Sequence, residues 1–328
     1  MYVITGGAGF IGSNVAAALE ARGAGPLVIV DRLRDADKWR NIAKRTLYDI
    51  VHPDNVHAFL GTHGKAVEAI VHMGAISATT ETDADLIVEN NFRLSRDLWV
   101  WCAQHDVRYV YASSAATYGD GTQGFDDDMS ADGLNRLRPL NPYGWSKLLF
   151  DKWVAAELDA GRARPAQWAG LRFFNVYGPN EYHKGRMASV VSQIQPLAAR
   201  GESCRLFQSH HPDYEDGGQL RDFVCVDDCA EVICWLLDNP AVSGLFNLGT
   251  GKARSFADLA RAVYAAMGQD FKVDYVPTPE DIRDKYQYFT EANMTRLRDA
   301  GYTGQFTSLE DGVGRYVTDF LAADDPYR

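Results

Sequence analysis

A tyrosine and a lysine four residues apart, in the run Asn-Pro-Tyr-Gly-Trp-Ser-Lys at positions 141–147, have the types and spacing for proton chemistry. Pro142 suits the first position of a helix, so Tyr143 and Lys147 fall at i and i+4 on one helix face. An ammonium beside a phenol favours the phenolate and draws its pKa down from about 10. Such a tyrosine would take a proton from an alcohol. The pair alone is a weak signal, because a solvated Tyr/Lys pair on a helix surface is the commoner occurrence.

The elements that would position this pair are legible elsewhere in the chain. Residues 2–5 (Tyr-Val-Ile-Thr) read as a short buried strand. Gly6-Gly7-Ala8-Gly9-Phe10-Ile11-Gly12 follows directly, and Ile11, Val15, Ala18 and Leu19 then take up helical spacing. In that order, strand, glycine loop and helix make a dinucleotide cradle: the glycines allow a tight turn and close approach to a pyrophosphate, which rests on the helix N-terminus. Residues 27–31 (Leu-Val-Ile-Val-Asp) end in an acid 19 residues beyond Gly12, where an acceptor for a ribose hydroxyl belongs. Residues 109–119 (Tyr-Val-Tyr-Ala-Ser-Ser-Ala-Ala-Thr-Tyr-Gly) run from a strand into small hydroxyl residues. This puts Ser113, Ser114 and Thr117 at the carboxyl end of a strand, where open α/β sheets bind ligands. Ser113, 30 residues before Tyr143 and so one crossover away, would orient the oxygen on which the tyrosine acts.

Composition narrows the class. A chain of 328 residues, 46% hydrophobic, can bury a full core. A net charge of -11 argues against nucleic acid, and anionic ligands must be met by local cations. No stretch approaches the roughly 18 apolar residues of a membrane span, and Met1 leads straight into a strand, so a cytoplasmic protein is expected. Five cysteines, Cys102, Cys204, Cys225, Cys229 and Cys234, form no C-x-x-C pair and read as reduced core thiols. No metal site is expected, and His210-His211 reads as solvated loop.

Further elements follow from periodicity: strands at 69–75, 168–175, 204–207, 221–226 and 245–248, a helix over 83–102, a helix containing 188–199, and helices starting near Ser255 and Ser308. Asp227 and Asp228 would cap a helix ending near Leu237. Residues 120–138 and the acidic stretch 208–220 read as surface loops. The expected fold class is α/β, a doubly wound parallel sheet (Rossmann) with a smaller interleaved α/β substrate lobe. Residues 1–175 would form the dinucleotide domain, and 176–328 mainly the substrate lobe, with segments returning to the first domain.

Residues 6–12, 113–119, the Tyr143/Lys147 pair and Arg172-Phe173-Phe174-Asn175-Val176-Tyr177-Gly178-Pro179 together resemble the extended short-chain dehydrogenase/reductase family of nucleotide-sugar enzymes. Residues 183–189 (His-Lys-Gly-Arg-Met-Ala-Ser), 221–224 (Arg-Asp-Phe-Val), 246–251 (Phe-Asn-Leu-Gly-Thr-Gly) and 286–290 (Tyr-Gln-Tyr-Phe-Thr) are similar to a branch that epimerises a side-chain carbon of an ADP-sugar. The resemblance implies catalysis by Tyr143, Lys147 and Ser113, with Lys184 as a second acid/base for the opposite face of the same carbon. It implies dinucleotide contacts from Gly6, Gly9, Phe10, Ile11, Gly12, Asp31, Arg32 and Lys38. Met73, Gly74, Ala75, Ile76, Ser77, Asn90, Lys147 and Val176 complete that set. Asn175, Arg186, Gln193, Phe207, Arg221 and Tyr286 would contact the ADP-sugar, with Arg221 at its pyrophosphate. A homo-oligomer, a pentamer by the same resemblance, is expected.

The cofactor expected is NADP, with NAD possible. Asp31 alone would favour NAD by accepting from the ribose 2'-hydroxyl, but Arg32, Arg34 and Lys38 follow it. Alternative activities within the family are 4-epimerisation and 4,6-dehydration. Dehydratases carry Asp-Glu where this chain has Ala115-Ala116, which disfavours that branch. A redox-sensing dinucleotide-binding protein would have no reason to keep Ser113, Tyr143 and Lys147 together.

Overall fold

The computed structural model describes residues 1–34, 37–283 and 287–328. Its first half runs β1 (Tyr2–Thr5), α1 (Phe10–Ala21), β2 (Leu27–Val30), β3 (Asp49–Val51), α2 (Val56–His63), β4 (Ala69–His72), α3 (Ala84–Ile87), α4 (Leu94–His105), β5 (Arg108–Ser114), α5 (Ala131–Arg136), α6 (Pro142–Asp159), β6 (Trp168–Phe173) and β7 (Asn175–Tyr177). The remainder is α7 (Val190–Ala199), β8 (Cys204–Phe207), β9 (Leu220–Arg221), β10 (Phe223–Cys225), α8 (Val226–Asp238), β11 (Gly244–Leu248), β12 (Arg254–Ser255), α9 (Phe256–Ala266), β13 (Val273–Val276), α10 (Glu280–Arg283), α11 (Thr295–Asp299) and α12 (Leu309–Tyr316).

Seven strands form one parallel sheet in the order β11-β6-β5-β4-β1-β2-β3. This is the doubly wound α/β arrangement, whose winding reverses between β1 and β4. The apolar strands are buried on both faces, as parallel strands are when helices cover each side. Alternation sorts their side chains: Ile4, Ile29 and Val71 pack with Val15 and Leu19 of α1 and Ile233 and Leu237 of α8. Val3, Val28 and Ile70 pack on the other face with Leu60, Leu98, Trp99 and Phe150. Residues 244–248 return from the second half of the chain and pair with β6 at the sheet edge.

A third core unites α7, α9 and α12, with β8 paired in parallel to β13. Ser255 closes a capping box at the start of α9, and Ser308 caps α12, satisfying helix N–H groups that would otherwise be unpaired.

Four local expectations need correction. Asp227 and Asp228 lie inside the first turn of α8 rather than capping it; Asp228 instead accepts from the Thr307 N–H and hydroxyl at 2.8 and 2.9 Å. Residues 120–138 are more than loop: they contain α5, and Asp127 is buried, accepting from the Asn247 N–H at 2.8 Å. The strand expected over 69–75 ends at His72, freeing the next residues to line the cradle. The helix expected over 83–102 is divided by a π-turn at Val88–Arg93.

Candidate active site

The carboxyl ends of β1, β4 and β5 meet above the winding reversal. Gly6 leaves β1 with φ +62°, and a Cβ there would lie 2.6 Å from the Gly74 backbone after β4. A Cβ on Gly12 would lie 2.3 Å from the Gly6 carbonyl oxygen. Both positions therefore demand glycine. Gly9 precedes α1 without any side-chain cap, so the first N–H groups of α1 are available to an anion. This cradle fits a dinucleotide pyrophosphate.

Asp31, at the end of β2, is turned into the cradle. One carboxylate oxygen accepts from the Ala8 N–H at 2.9 Å; the other takes the Arg32 N–H at 2.7 Å and the Lys38 ammonium at 2.5 Å. Arg32 extends between Asp54, at 2.7 Å, and Asn90, at 3.1 Å. The 73–77 loop is held by Asn91, which spacing did not single out. Its amide accepts from the Ile76 N–H at 2.8 Å and donates to the Ile76 carbonyl at 3.0 Å. Asn91 also donates to Ser146 at 3.1 Å, and Ser146 donates to the Tyr143 carbonyl at 2.7 Å. One amide thus ties the 73–77 loop to α6. No sequence pattern marks it; the π-turn that carries it belongs to the fold.

Pro142 opens α6 as expected, with the Asn141 side chain accepting from the Gly144 N–H at 2.8 Å. Tyr143 and Lys147 occupy its first turns. The electrostatics differ from expectation. Burial raises the Tyr143 phenol above its ordinary value, opposed by the Ser114 hydroxyl. Lys147, 3% exposed, donates to the Ala112 carbonyl at 2.8 Å, and burial pulls it to about 8 although Asp151 works against this. Desolvation, not the neighbouring ammonium, sets the direction of the Tyr143 shift.

The serine expectation is corrected as well. Ser113 is 2% exposed and donates to the Asp151 carboxylate at 2.9 Å, beneath the site. Ser114 is the residue against the phenol, and its oxygen accepts from the Ala116 N–H at 3.1 Å, so its own proton can point elsewhere. Successive strand residues face opposite ways, and only one of the two can meet α6 at Tyr143.

Lys184 sits in the turn Tyr182–Met187, its ammonium 5.3 Å above the Phe10 ring and hence over the glycine loop. Burial lowers its pKa, partly offset by Glu181. No hydrogen bond joins it to Tyr143 among the described residues. Arg186 in the same turn is exposed, as is Asn175 on β7, beside half-buried Val176. Gln193 and Phe207 line a cavity of about 1050 Å³ between α7, β8 and α9, with Gln219 and Phe256. Neither Tyr143 nor Lys184 lines that cavity. Arg221 lies 5.6 Å over the Phe256 ring. Tyr286 lies outside the described residues.

A glycine cradle at a winding reversal, with a hydroxyl, a phenol and an ammonium at its rim, defines a dinucleotide-dependent enzyme of the short-chain dehydrogenase/reductase type. Residues 2–249 match the model of the NAD dependent epimerase/dehydratase family, and the chain belongs to that family; a nicotinamide dinucleotide is the group that the cradle fits. Over 330 residues, covering all of both chains, it is 52% identical to an ADP-L-glycero-D-manno-heptose-6-epimerase of Nitratidesulfovibrio vulgaris. A Fusobacterium nucleatum protein of the same name is 47% identical over 335 residues, again covering both chains fully. The crystal structure of the Helicobacter pylori enzyme of that name superposes with a TM-score of 0.77 at 27% identity, covering 98% of this chain and 96% of that one.

Proposed function

We propose that the protein inverts C6 of ADP-D-glycero-D-manno-heptose to give the L-glycero epimer, with NADP as cofactor, supplying heptose for a lipopolysaccharide core. The observation that carries this reading is the full-length 52% identity to an enzyme of that name joined to a Tyr143–Ser114 pair at the rim of the dinucleotide cradle.

The bound dinucleotide would supply a hydride acceptor that becomes the donor for the opposite face. The chain's own groups manage the protons. Ser114 orients the reacting oxygen toward Tyr143, and Lys147 steadies the nicotinamide ribose. Burial raises the Tyr143 phenol and lowers the Lys184 ammonium, and the two groups, on different elements, would serve the two positions of the oxygen. An exocyclic ketone can show its second face by rotation about one single bond, so the ring can stay bound while its oxygen passes from one group to the other. Asn175, Arg186, Gln193, Phe207 and Arg221 would hold the ADP-sugar across the second lobe.

For the cofactor, Asp31 already accepts from Ala8, Arg32 and Lys38, and Lys38 and Arg32, now paired with Asp31 and Asp54, would offer a 2'-phosphate two cations at this edge of the cradle. This supports NADP over NAD. The same reading takes residues 1–175 as the dinucleotide domain and 176–328 as mainly the substrate lobe, in a cytoplasmic homo-oligomer, a pentamer.

The test is to run the reaction in deuterated water with ADP-D-glycero-D-manno-heptose and follow C6 by NMR. Inversion without deuterium at C6 is expected; no inversion refutes the substrate, and deuterium at C6 refutes hydride transfer.

A further inference from the structure

The Lys184 ammonium lies over the Phe10 ring and is acted on by the Glu181 carboxylate, and its position follows from the residues that lead to it. Each of the four preceding residues is anchored by other parts of the fold. Asn180, fully buried with φ +72°, donates to the Ser13 hydroxyl at 3.0 Å and to the Asn41 carbonyl at 3.3 Å. Glu181 accepts from the Ser189 hydroxyl at 2.6 Å and from the Tyr316 hydroxyl at 3.0 Å. The His183 ring meets the Asn41 amide at 3.2 Å. Tyr182 is held by residues 325–328 together with Tyr316: its hydroxyl donates to the Pro326 carbonyl at 2.7 Å and is hydrogen-bonded with the Tyr316 hydroxyl, and its ring meets that of Tyr327 edge-on at 5.3 Å.

Residues 325–328 reach both neighbouring segments. The Arg328 N–H donates to the Asn180 side chain at 3.0 Å, and its guanidinium pairs with Asp227 at the start of α8. On the other side Lys44 donates to the Tyr327 carbonyl at 2.5 Å and pairs with Asp325 at 2.8 Å, while Arg40 stacks 5.5 Å over the Tyr327 ring. Arg40 belongs to the turn Asp37–Ile42, which carries Lys38. Residues 325–328 therefore bridge the turn carrying Lys38 and the turn carrying Lys184.

We propose that residues 325–328 are a clasp that sets the position of Lys184 relative to the dinucleotide cradle, making Tyr327 and Arg328 positioning residues for the reaction. The inference rests on the reading of Lys184 as the second acid/base. An individual exposed ion pair such as Lys44–Asp325 contributes little; the clasp acts through geometry, because a reacting group displaced by about 1 Å can lose about 100-fold in rate.

The experiment compares Tyr327→Ala, Arg328→Ala and Arg328→Lys with wild type as full-length holoenzymes, using Lys184→Met as reference. Turnover at saturating ADP-sugar should fall about 10-fold or more in the two alanine variants, with KM within about threefold. Arg328→Lys, which keeps the charge facing Asp227, should recover most of the rate. Hydrogen exchange should quicken at the Lys184 and Ala188 amides, which close the turn by bonding the Glu181 and Gly185 carbonyls at 3.0 Å each. Tyr182→Phe, which deletes one hydroxyl, should shift both readouts the same way if an alanine variant folds poorly. Unchanged exchange in 184–188, or unchanged turnover while Lys184→Met is impaired, overturns the clasp. Full turnover by Lys184→Met would instead refute the second-base reading and leave the exchange result to judge the clasp.

Discussion

Asp151 lies under the site with no exposed surface and takes four hydrogen bonds: Ser113 at 2.9 Å, Tyr111 at 3.3 Å, and Arg172 at 3.1 and 3.0 Å. Arg172 is equally buried, and its guanidinium stacks 4.8 Å over the Tyr118 ring. Asp151→Asn keeps the shape and removes the charge. An unpaired guanidinium is then left in the interior, at a cost of about 3–5 kcal/mol. With an unfolding entropy of about 2 cal/mol/K per residue, that loss lowers Tm by about 4–7 °C for a chain of this length. The charge also raises the pKa of Lys147, which burial has already pulled to about 8, so its removal should shift the loss of dinucleotide affinity at high pH to a lower pH. Thermal unfolding followed by circular dichroism at pH 7 gives the first quantity, and titration with NADPH across pH gives the second. Asp151→Leu combined with Arg172→Met should recover much of the stability, since an apolar pair carries no desolvation cost. A loss under about 1 kcal/mol for Asp151→Asn would refute the argument that this pair is a stringent buried contact.

The two serines should separate cleanly. Ser114→Ala should lower turnover by about 10- to 100-fold with little effect on stability, whereas Ser113→Ala should cost about 1 kcal/mol of stability and leave turnover within about threefold; the reverse pattern in steady-state kinetics and melting would refute the assignment. In wild-type protein, NADPH affinity measured by fluorescence should fall as pH rises through about 8, where Lys147 loses its proton, and Lys147→Arg should move that fall upward; a flat profile from pH 7 to about 9.5 would refute it. Burial and the Lys147 charge lower His72 from 6.5 to about 3. Its unfolded form therefore binds a proton that the folded form refuses, and stability drops as pH falls from about 6.5 toward 3, by about 2 kcal/mol between pH 7 and pH 5. His72→Asn should flatten that part of the stability curve, as read by urea unfolding.

The sequence alone determined the parts whose cause is local. Glycine spacing after an apolar strand gave the cradle, because the positive φ at Gly6 and the close backbone approach at Gly12 exclude a side chain whatever surrounds them. Pro142 and the four-residue spacing gave the helix carrying Tyr143 and Lys147, and Ser255 and Ser308 marked the starts of two more. The resemblance carried by a few motifs pointed to the family that the whole chain then matched.

Tertiary structure decided what depends on residues distant in the chain. Alternation tells a reader that Ser113 and Ser114 face opposite ways, but which of them meets Tyr143 depends on the side from which α6 packs. The direction of the Tyr143 shift depends on how deeply the fold buries the phenol. The buried partners Asp151 and Arg172 stand 21 residues apart, and Asn41 and Asn180 stand 139 apart. Residues 325–328 carry no motif at all, yet they brace two turns distant in sequence. Hydrogen bonds and desolvation act at a few ångströms in space, and only the fold sets which residues fall within that range.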